Sequence, residues 1–392
     1  MKKVLALVVA VLLTAAMFAA CAPTNEPSQE PSVQPTVAEP TQAPPEAPPE
    51  TAAGFEIAMI TDIGNIDDKS FNQGTWEGVE KFADENSITK KYYKPLDKST
   101  DAYIQSIDLA VQAGAKIIVT PGFLFEPAIY QAQDIYPDIK FVLIDGDPND
   151  GDWSAGFPNF KRNDNVYSIF FAEQQAGFLA GYAAVKDGYT KLGFMGGMAV
   201  PAVVRFGYGF VQGCDVAAKE LGLAKGSVEI KYHYTGNFDA TPDNQARAAS
   251  WYTSGTEVIF GCGGKVGNSV FAAAEANNGK AIGVDVDQSF ESATVITSAM
   301  KGVGNAAYSA LNDFYAGSFK GGVSEYLDIT VDMVGLPFAT SKFSKFSQAD
   351  YDALVDKLIK DTDGLRSSLW NDTTADAADK LAVEIVKVTV VS

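Results

Sequence analysis

Glu56-Ile57-Ala58-Met59-Ile60-Thr61-Asp62-Ile63-Gly64-Asn65-Ile66-Asp67-Asp68-Lys69-Ser70-Phe71-Asn72-Gln73 is the stretch from which the rest of the chain is read. Its apolar opening predicts a buried strand over 56–61, and the amphipathic pattern beyond it predicts a helix near 70–85. The same unit recurs downstream, with strands at 116–120, 140–145 and 166–171 and helices near 101–113 and 126–136. The alternation then restarts, with strands at 191–195, 228–234, 257–261 and 280–284 and helices near 201–221, 242–253 and 266–277. Strands separated by helices of this length imply βαβ units, parallel sheets and an α/β fold. Two successive sets imply two similar lobes.

Ligands of such sheets bind beyond the carboxyl ends of the strands. Those ends read Thr61-Asp62-Ile63-Gly64, Thr120-Pro121-Gly122-Phe123, Asp145-Gly146-Asp147, Gly196-Gly197, Gly261-Cys262-Gly263-Gly264 and Asp285-Val286-Asp287-Gln288. Glycine lets backbone approach a ligand, and short carboxylates accept hydrogen bonds from hydroxyls or amines. Any one end alone is ordinary turn chemistry. Six together, three per lobe, describe the two walls of one cleft.

The N-terminus has the form of an export signal: Lys2 and Lys3, an apolar run from Val4 to Ala20, then Cys21. Phe18-Ala19-Ala20-Cys21 is similar to a bacterial lipobox, with Phe where Leu is usual, so 1–20 is expected to be removed and Cys21 lipidated. Buried acyl chains contribute about 0.8 kcal/mol per CH₂, and several would hold the protein at the outer, extracytoplasmic face of the cell membrane. Residues 21–54 are rich in Pro, Glu, Ser, Thr and Gln and are expected to form a disordered spacer. The net charge is −19, or −21 once Lys2 and Lys3 are lost, which argues against nucleic acid and anionic lipid surfaces as partners.

Enzyme and metal signatures largely fail. His233 is the one histidine, so multi-histidine metal sites are excluded, and no Gly-x-Ser-x-Gly elbow occurs. Gly261-Cys262-Gly263-Gly264-Lys265 lacks both the first glycine and the Ser or Thr of a phosphate loop. The acidic run 145–152 has Asp150 where a calcium loop needs glycine, so it is expected to be a solvated turn with Asp145 at the cleft. Asp62, Asp67 and Asp68 are similar to the acidic cluster of nucleoside hydrolases, but the export signal and two-lobe pattern point elsewhere. No cofactor or metal is expected. Cys214 and Cys262 are expected as reduced thiols, although an exported protein could pair them.

The opening stretch, followed by Trp76-Glu77-Gly78, resembles the signature of the basic membrane protein family of lipoproteins, which includes purine nucleoside receptors serving ABC importers. The resemblance continues through Phe171-Ala172-Glu173-Gln174-Gln175-Ala176-Gly177 and Gly196-Gly197-Met198, with Pro201, Phe206, Gly209 and Phe210 behind it. It ends with Ile282-Gly283-Val284-Asp285-Val286-Asp287-Gln288 and Thr297-Ser298-Ala299-Met300-Lys301, and so covers about 55 to 317. It implies the type I periplasmic-binding fold, two Rossmann-like lobes joined by crossovers and hinging over ligand. The expected lobes are 55–168 with about 292–325, and 169–291 with about 326–392.

The same resemblance implies a purine held between Phe71 and Phe206, one ring per lobe. Asp62, Asn72 and Asp145 are candidates for the polar edge of the base. Asp285 matches the position that accepts ribose hydroxyls, Gly263 and Gly264 offer backbone near the sugar, and Lys301 matches a donor to ribose oxygens. The partners implied are a small-molecule ligand and a membrane ABC permease, with the protein itself a monomer and not an enzyme. Two rivals stay open: a receptor of the same fold for a sugar or autoinducer-like solute, and a surface adhesin.

Overall fold

The computed structural model describes residues 55–373 and 378–392; the expected signal peptide, the lipidation site Cys21 and the spacer lie outside the described residues. The wholly buried run Ile57-Ala58-Met59-Ile60 forms β1 (Ile57–Ile60). It leads through α1 (Phe71–Glu85), β2 (Lys90–Tyr93), α2 (Thr100–Gln112), β3 (Ile117–Pro121), α3 (Glu126–Ile135) and β4 (Lys140–Ile144) to β5 (Val166–Phe171). There follow α4 (Glu173–Asp187), β6 (Lys191–Gly196), α5 (Pro201–Glu220), β7 (Val228–Tyr234), α6 (Pro242–Thr253), β8 (Val258–Cys262), α7 (Val266–Asn277), β9 (Lys280–Asp285) and β10 (Val295–Lys301). The chain closes with α8 (Val303–Tyr315), β11 (Ser324–Leu327), β12 (Val334–Gly335), α9 (Gln348–Ile359) and β13 (Val386–Val390).

These strands build two sheets. One has the order β11-β5-β4-β3-β1-β2 and the other β12-β10-β9-β8-β6-β7-β13. Every pairing is parallel except that of β12 with β10. In both, the second strand lies on one side of the first and the third, fourth and fifth on the other. The strand order therefore reverses between β1 and β3 and between β6 and β8, where open α/β sheets bind ligands.

The chain passes between the sheets three times: from β5 to α4, from β10 to α8, and from β11 to β12. α8 returns to the first lobe, where Tyr308 packs on Phe82 with ring centroids 5.4 Å apart and donates a hydrogen bond to Glu85 at 2.7 Å. The expected lobe boundaries need two adjustments. β10 hydrogen-bonds to β9, so the return crossing follows Lys301 instead of falling near 292, and β5 stays in the first sheet through Phe171, where it pairs with β11, instead of ending at 168.

Of the strands missing from the sequence reading, β10 is a buried crossover strand between β9 and β12, and β2, β11, β12 and β13 lie at sheet edges. β2 reads Lys-Lys-Tyr-Tyr, and its partly exposed edge position needs no apolar run. β13 lies in the tail, which carried no recognisable motif. Asp215 holds that tail by accepting from the backbone N–H groups of Glu384, Ile385 and Val386 at 2.7–3.0 Å. Cys214 and Cys262 are both free and buried.

Two helices of the second lobe meet at backbone distance. A β carbon on Gly177 of α4 would stand 2.1 Å from the carbonyl oxygen of Phe206, and one on Gly209 of α5 would stand 2.0 Å from that of Gln174. Glycine is required there by space alone. Gly209→Ala should force the helices apart and destabilise the fold by about 1–3 kcal/mol. Urea denaturation would read this as a lower midpoint, and a wild-type midpoint would refute the close crossing.

Candidate ligand-binding site

The first wall is organised around the start of α1. Asp68 caps the helix by accepting from the N–H groups of Ser70, Asn72 and Gln73 at 2.9–3.0 Å. The Asn72 amide then donates to Asp62 at 2.9 Å and to Asp68 at 3.0 Å, while its oxygen accepts from the Asp62 N–H at 3.3 Å. Both donors of Asn72 are therefore engaged within the loop, so it orients Asp62. Phe71, the first residue of α1, is half-buried beside the Gly122 turn that follows β3.

Asp145 follows β4 and Asp285 ends β9, so each closes the fourth strand of its own lobe. Both have left-handed backbone, with φ of 59° and 64°. Short polar residues tolerate that conformation better than bulky ones do, and it turns each carboxylate away from its strand. Lys301 ends the crossover strand β10, two residues before α8 begins. Its ammonium bonds to Asp145 Oδ2 and lies 3.3 Å from Glu173 Oε1 and 4.0 Å from Asp285 Oδ1. Glu173, at the start of α4, also receives Arg205 Nε at 2.6 Å.

Three rings surround the same ammonium. Lys301 Nζ is 4.6 Å from the centroid of Phe71, 5.5 Å from Phe171 and 5.8 Å from Phe206. Phe71 comes from the first lobe and Phe206 from the second. Ser70 donates to Asp285, the Gln288 amide donates to the Lys69 carbonyl at 2.8 Å, and Lys265 meets Asp67 at 3.2 Å, so the lobes touch along the loop before α1.

The electrostatics follow from burial. Lys301 is 2% exposed in its side chain. Burial alone would lower its pKa, but Asp145, Glu173 and Asp285 outweigh that and hold it above the usual lysine range. Burial pushes Asp145 up to about 6, with Lys301 pulling it back, and also raises Asp285. Burial would raise Glu173 too, but Arg205 and Lys301 overcome it and keep that carboxyl below its ordinary value. Asp145 Oδ1 is buried without a hydrogen-bond partner. Such an oxygen is suited to accept from a ligand hydroxyl or amine.

Phe71, Phe206, Asp145, Asp285 and Lys301 thus come together, with Asp62 and Asn72 in the adjoining loop. At Gly263 and Gly264 added β carbons would stand 2.9 Å from the Phe238 ring and 2.9 Å from its carbonyl oxygen, so both positions leave room for Phe238. Glu173, Arg205, Phe171, Ser70 and Gln288 were absent from the sequence-derived set. Glu173 and Arg205 did carry a signal, since each is a lone charge inside an apolar run. The acidic run 145–152 is a loop in which Arg162 pairs with Asp147 and Asp150 accepts from Asn159. Among the described residues no group of three or more His, Cys, Asp or Glu is placed to hold a metal ion, and no helix is long and apolar enough to cross a membrane.

Two like lobes with a polar, aromatic-lined junction define a solute-binding protein of the type I periplasmic-binding architecture. The family model described as ABC transporter substrate-binding protein, PnrA-like, matches residues 55–368, and the chain belongs to that family, the basic membrane proteins. It is 31% identical to the ABC transporter nucleoside-binding protein BmpA of Lactococcus lactis, over 73% of this chain and 82% of the relative. It is 30% identical to a CD4+ T-cell-stimulating antigen of Listeria monocytogenes, over 78% and 86%. The crystal structure of an ABC transporter solute-binding protein from Aeropyrum pernix superposes with a TM-score of 0.64 at 25% identity, over 81% of this chain and 83% of that one. The protein is therefore an extracytoplasmic ABC substrate-binding protein, with a small-molecule ligand and a membrane permease as partners.

Burial pushes Asp62 up to about 6, against the pull of its bonds from Asn72 and Gly64 and with a push from Asp68. A carboxyl raised in the folded state stabilises most below its unfolded pKa, and that stabilisation is lost as pH rises through about 6. Relative to Asp62→Asn, the wild type should lose on the order of 1–2 kcal/mol between pH 4 and pH 7, allowing for the half-buried position. Paired denaturation curves at the two pH values measure this. Parallel behaviour of the two proteins would rule out the shift.

Proposed function

We propose that this protein captures a nucleoside, a purine nucleoside in particular, between its two lobes and delivers it to a membrane ABC permease. The observation that carries this reading is the convergence of Phe71 and Phe206, one from each lobe, on the Lys301 ammonium between Asp145 and Asp285. A purine offers two apolar faces for such rings, and each aromatic stack contributes about 0.5–1.5 kcal/mol beyond burial. Adjacent ribose hydroxyls suit a carboxylate acceptor beside an ammonium donor, the pairing that Asp285 and Lys301 supply. Asp62 is the acceptor for the base edge, oriented by Asn72. The name of the Lactococcus relative, a nucleoside-binding protein, supports the same ligand class.

The protein acts as a receptor and not as a catalyst, tethered through lipid on Cys21 and raised from the membrane by 21–54. In the closed arrangement Ser70 with Asp285 and Lys69 with Gln288 join the lobes directly, and ligand binding energy adds to these contacts.

A thermal-shift panel of nucleosides, free bases and sugars tests the ligand class. A nucleoside present at about 100 times its dissociation constant should add about 2.7 kcal/mol of stability. Shifts with sugars but none with nucleosides would reject the nucleoside reading while leaving the receptor class intact. Asp285→Ala should weaken nucleoside binding about 10–100-fold by titration calorimetry, from the loss of hydrogen bonds to a charged acceptor. Unchanged affinity would remove Asp285 from the site.

A further inference from the structure

Glu173 is fully buried at the first position of α4, immediately after the β5 crossover, and its two carboxylate oxygens go to different cations. Oε1 lies 3.3 Å from Lys301 Nζ and Oε2 lies 2.6 Å from Arg205 Nε. Arg205 precedes Phe206 in α5, and α4 and α5 touch through backbone at Gly177 and Gly209. A single carboxylate therefore joins the crossover strand β10, the crossover helix α4 and the helix bearing one of the two site rings.

We propose that Glu173, together with Arg205, is a positioning pair for ligand capture: it sets the Lys301 ammonium and the Phe206 ring as one unit. The proposal rests on the nucleoside reading for its ligand, but its mechanical content concerns Lys301 alone. A lysine has four rotatable carbons and no fixed geometry of its own. With Asp145 as its sole partner, the ammonium could turn about that carboxylate. In the fold it rests on Asp145 and has Glu173 as a second acceptor at 3.3 Å, which limits that turning, while Arg205 keeps Glu173 charged and in place. Asp145 is faced by Lys301, Glu173 and Arg205; Asp285 by Lys301, Ser70, Asp68 and Glu173; Arg205 by Glu173, Asp145 and Tyr326.

The arrangement gives two substitutions opposite electrostatic signatures. Glu173→Gln removes a negative neighbour of Asp145 and releases Lys301 to it, so the Asp145 carboxyl should titrate at lower pH. Arg205→Met removes a positive neighbour and leaves Glu173 to compete harder for Lys301, so Asp145 should titrate at higher pH. Both should weaken nucleoside binding about 10-fold or more, because the ammonium leaves its place between the rings. Bare charge moves the midpoints in these senses whatever the pair does, so the affinities decide: a pair that only held helices together would lower stability in both variants and leave the nucleoside affinity of the folded protein unchanged.

The experiment is a ¹³C NMR titration of the Asp145 carboxyl in the ligand-free wild type and both variants, with nucleoside affinity measured in parallel. Opposite displacements accompanied by weaker binding are the expected result. An unmoved Asp145 midpoint in the variants, or wild-type affinity in Glu173→Gln, overturns the proposal. Should Glu173→Gln fail to fold, Arg205→Met decides alone: an upward shift with weaker nucleoside binding supports the positioning role, and wild-type affinity ends it. If the wild type binds no nucleoside, the ligand reading fails, and the same affinity comparison with the solute of the thermal-shift panel that does bind decides the positioning pair.

Discussion

An ammonium group withdrawn from water is tolerated only where opposite charge surrounds it, since desolvation costs several kcal/mol per ion. Lys301 is such a group, and its counter-charges do not come from one place. Asp145 belongs to the first sheet, Asp285 to the second, and Glu173 to the helix that follows the first crossover. Glu173 and Asp285 share the lobe of Lys301 and Asp145 does not, so the full set of counter-charges is complete only when the lobes stand together. The rings of Phe71, Phe171 and Phe206 around the same atom make the site depend on that condition as well. Two lobes that met through apolar contact alone could slide; lobes that share a buried charge have one arrangement that works.

Internal pseudo-symmetry explains how so specific a convergence is built from ordinary parts. Each sheet repeats one strand order, and each ends its fourth strand in an aspartate of left-handed backbone. Each lobe also seats a crossover helix against its first helix, α8 on α1 and α4 on α5, with glycine at the crossing. The symmetry is broken at the crossover strands, where β5 ends in Phe171 and β10 in Lys301. One contributes a ring and the other the charge it faces. Function therefore resides in the departure from a repeated frame.

Much of the frame could be read directly from the chain. Buried strands such as Ile57–Ile60 and Val258–Cys262 stand out because a strand covered on both faces must be apolar throughout. β2, β11 and β13 did not stand out, because edge strands draw their order from pairing on one side and carry mixed residues. The tail illustrates this: only the fold brings Asp215 to the three N–H groups that anchor it. Among the site residues, Phe71, Phe206, Asp285 and Lys301 came from a resemblance in motif and not from periodicity. The packing of Phe238 beside Gly263 and Gly264 could not be read from the sequence, because only the fold brings that ring to the turn after β8.

Taken by itself, the sequence determined the class of the fold, two α/β lobes with parallel sheets, because hydrophobic periodicity records how each segment is covered. It also determined which strand ends carry carboxylates and glycines. Which of these groups share one point was decided by the tertiary structure alone. Glu173, Arg205, Asp145 and Lys301 are separated by 32 to 156 residues in their contacts, and their charges matter only at contact distance. A lone Glu in an apolar run is a puzzle in the sequence; in the folded protein it is the group on which a cation and an aromatic wall are both fastened.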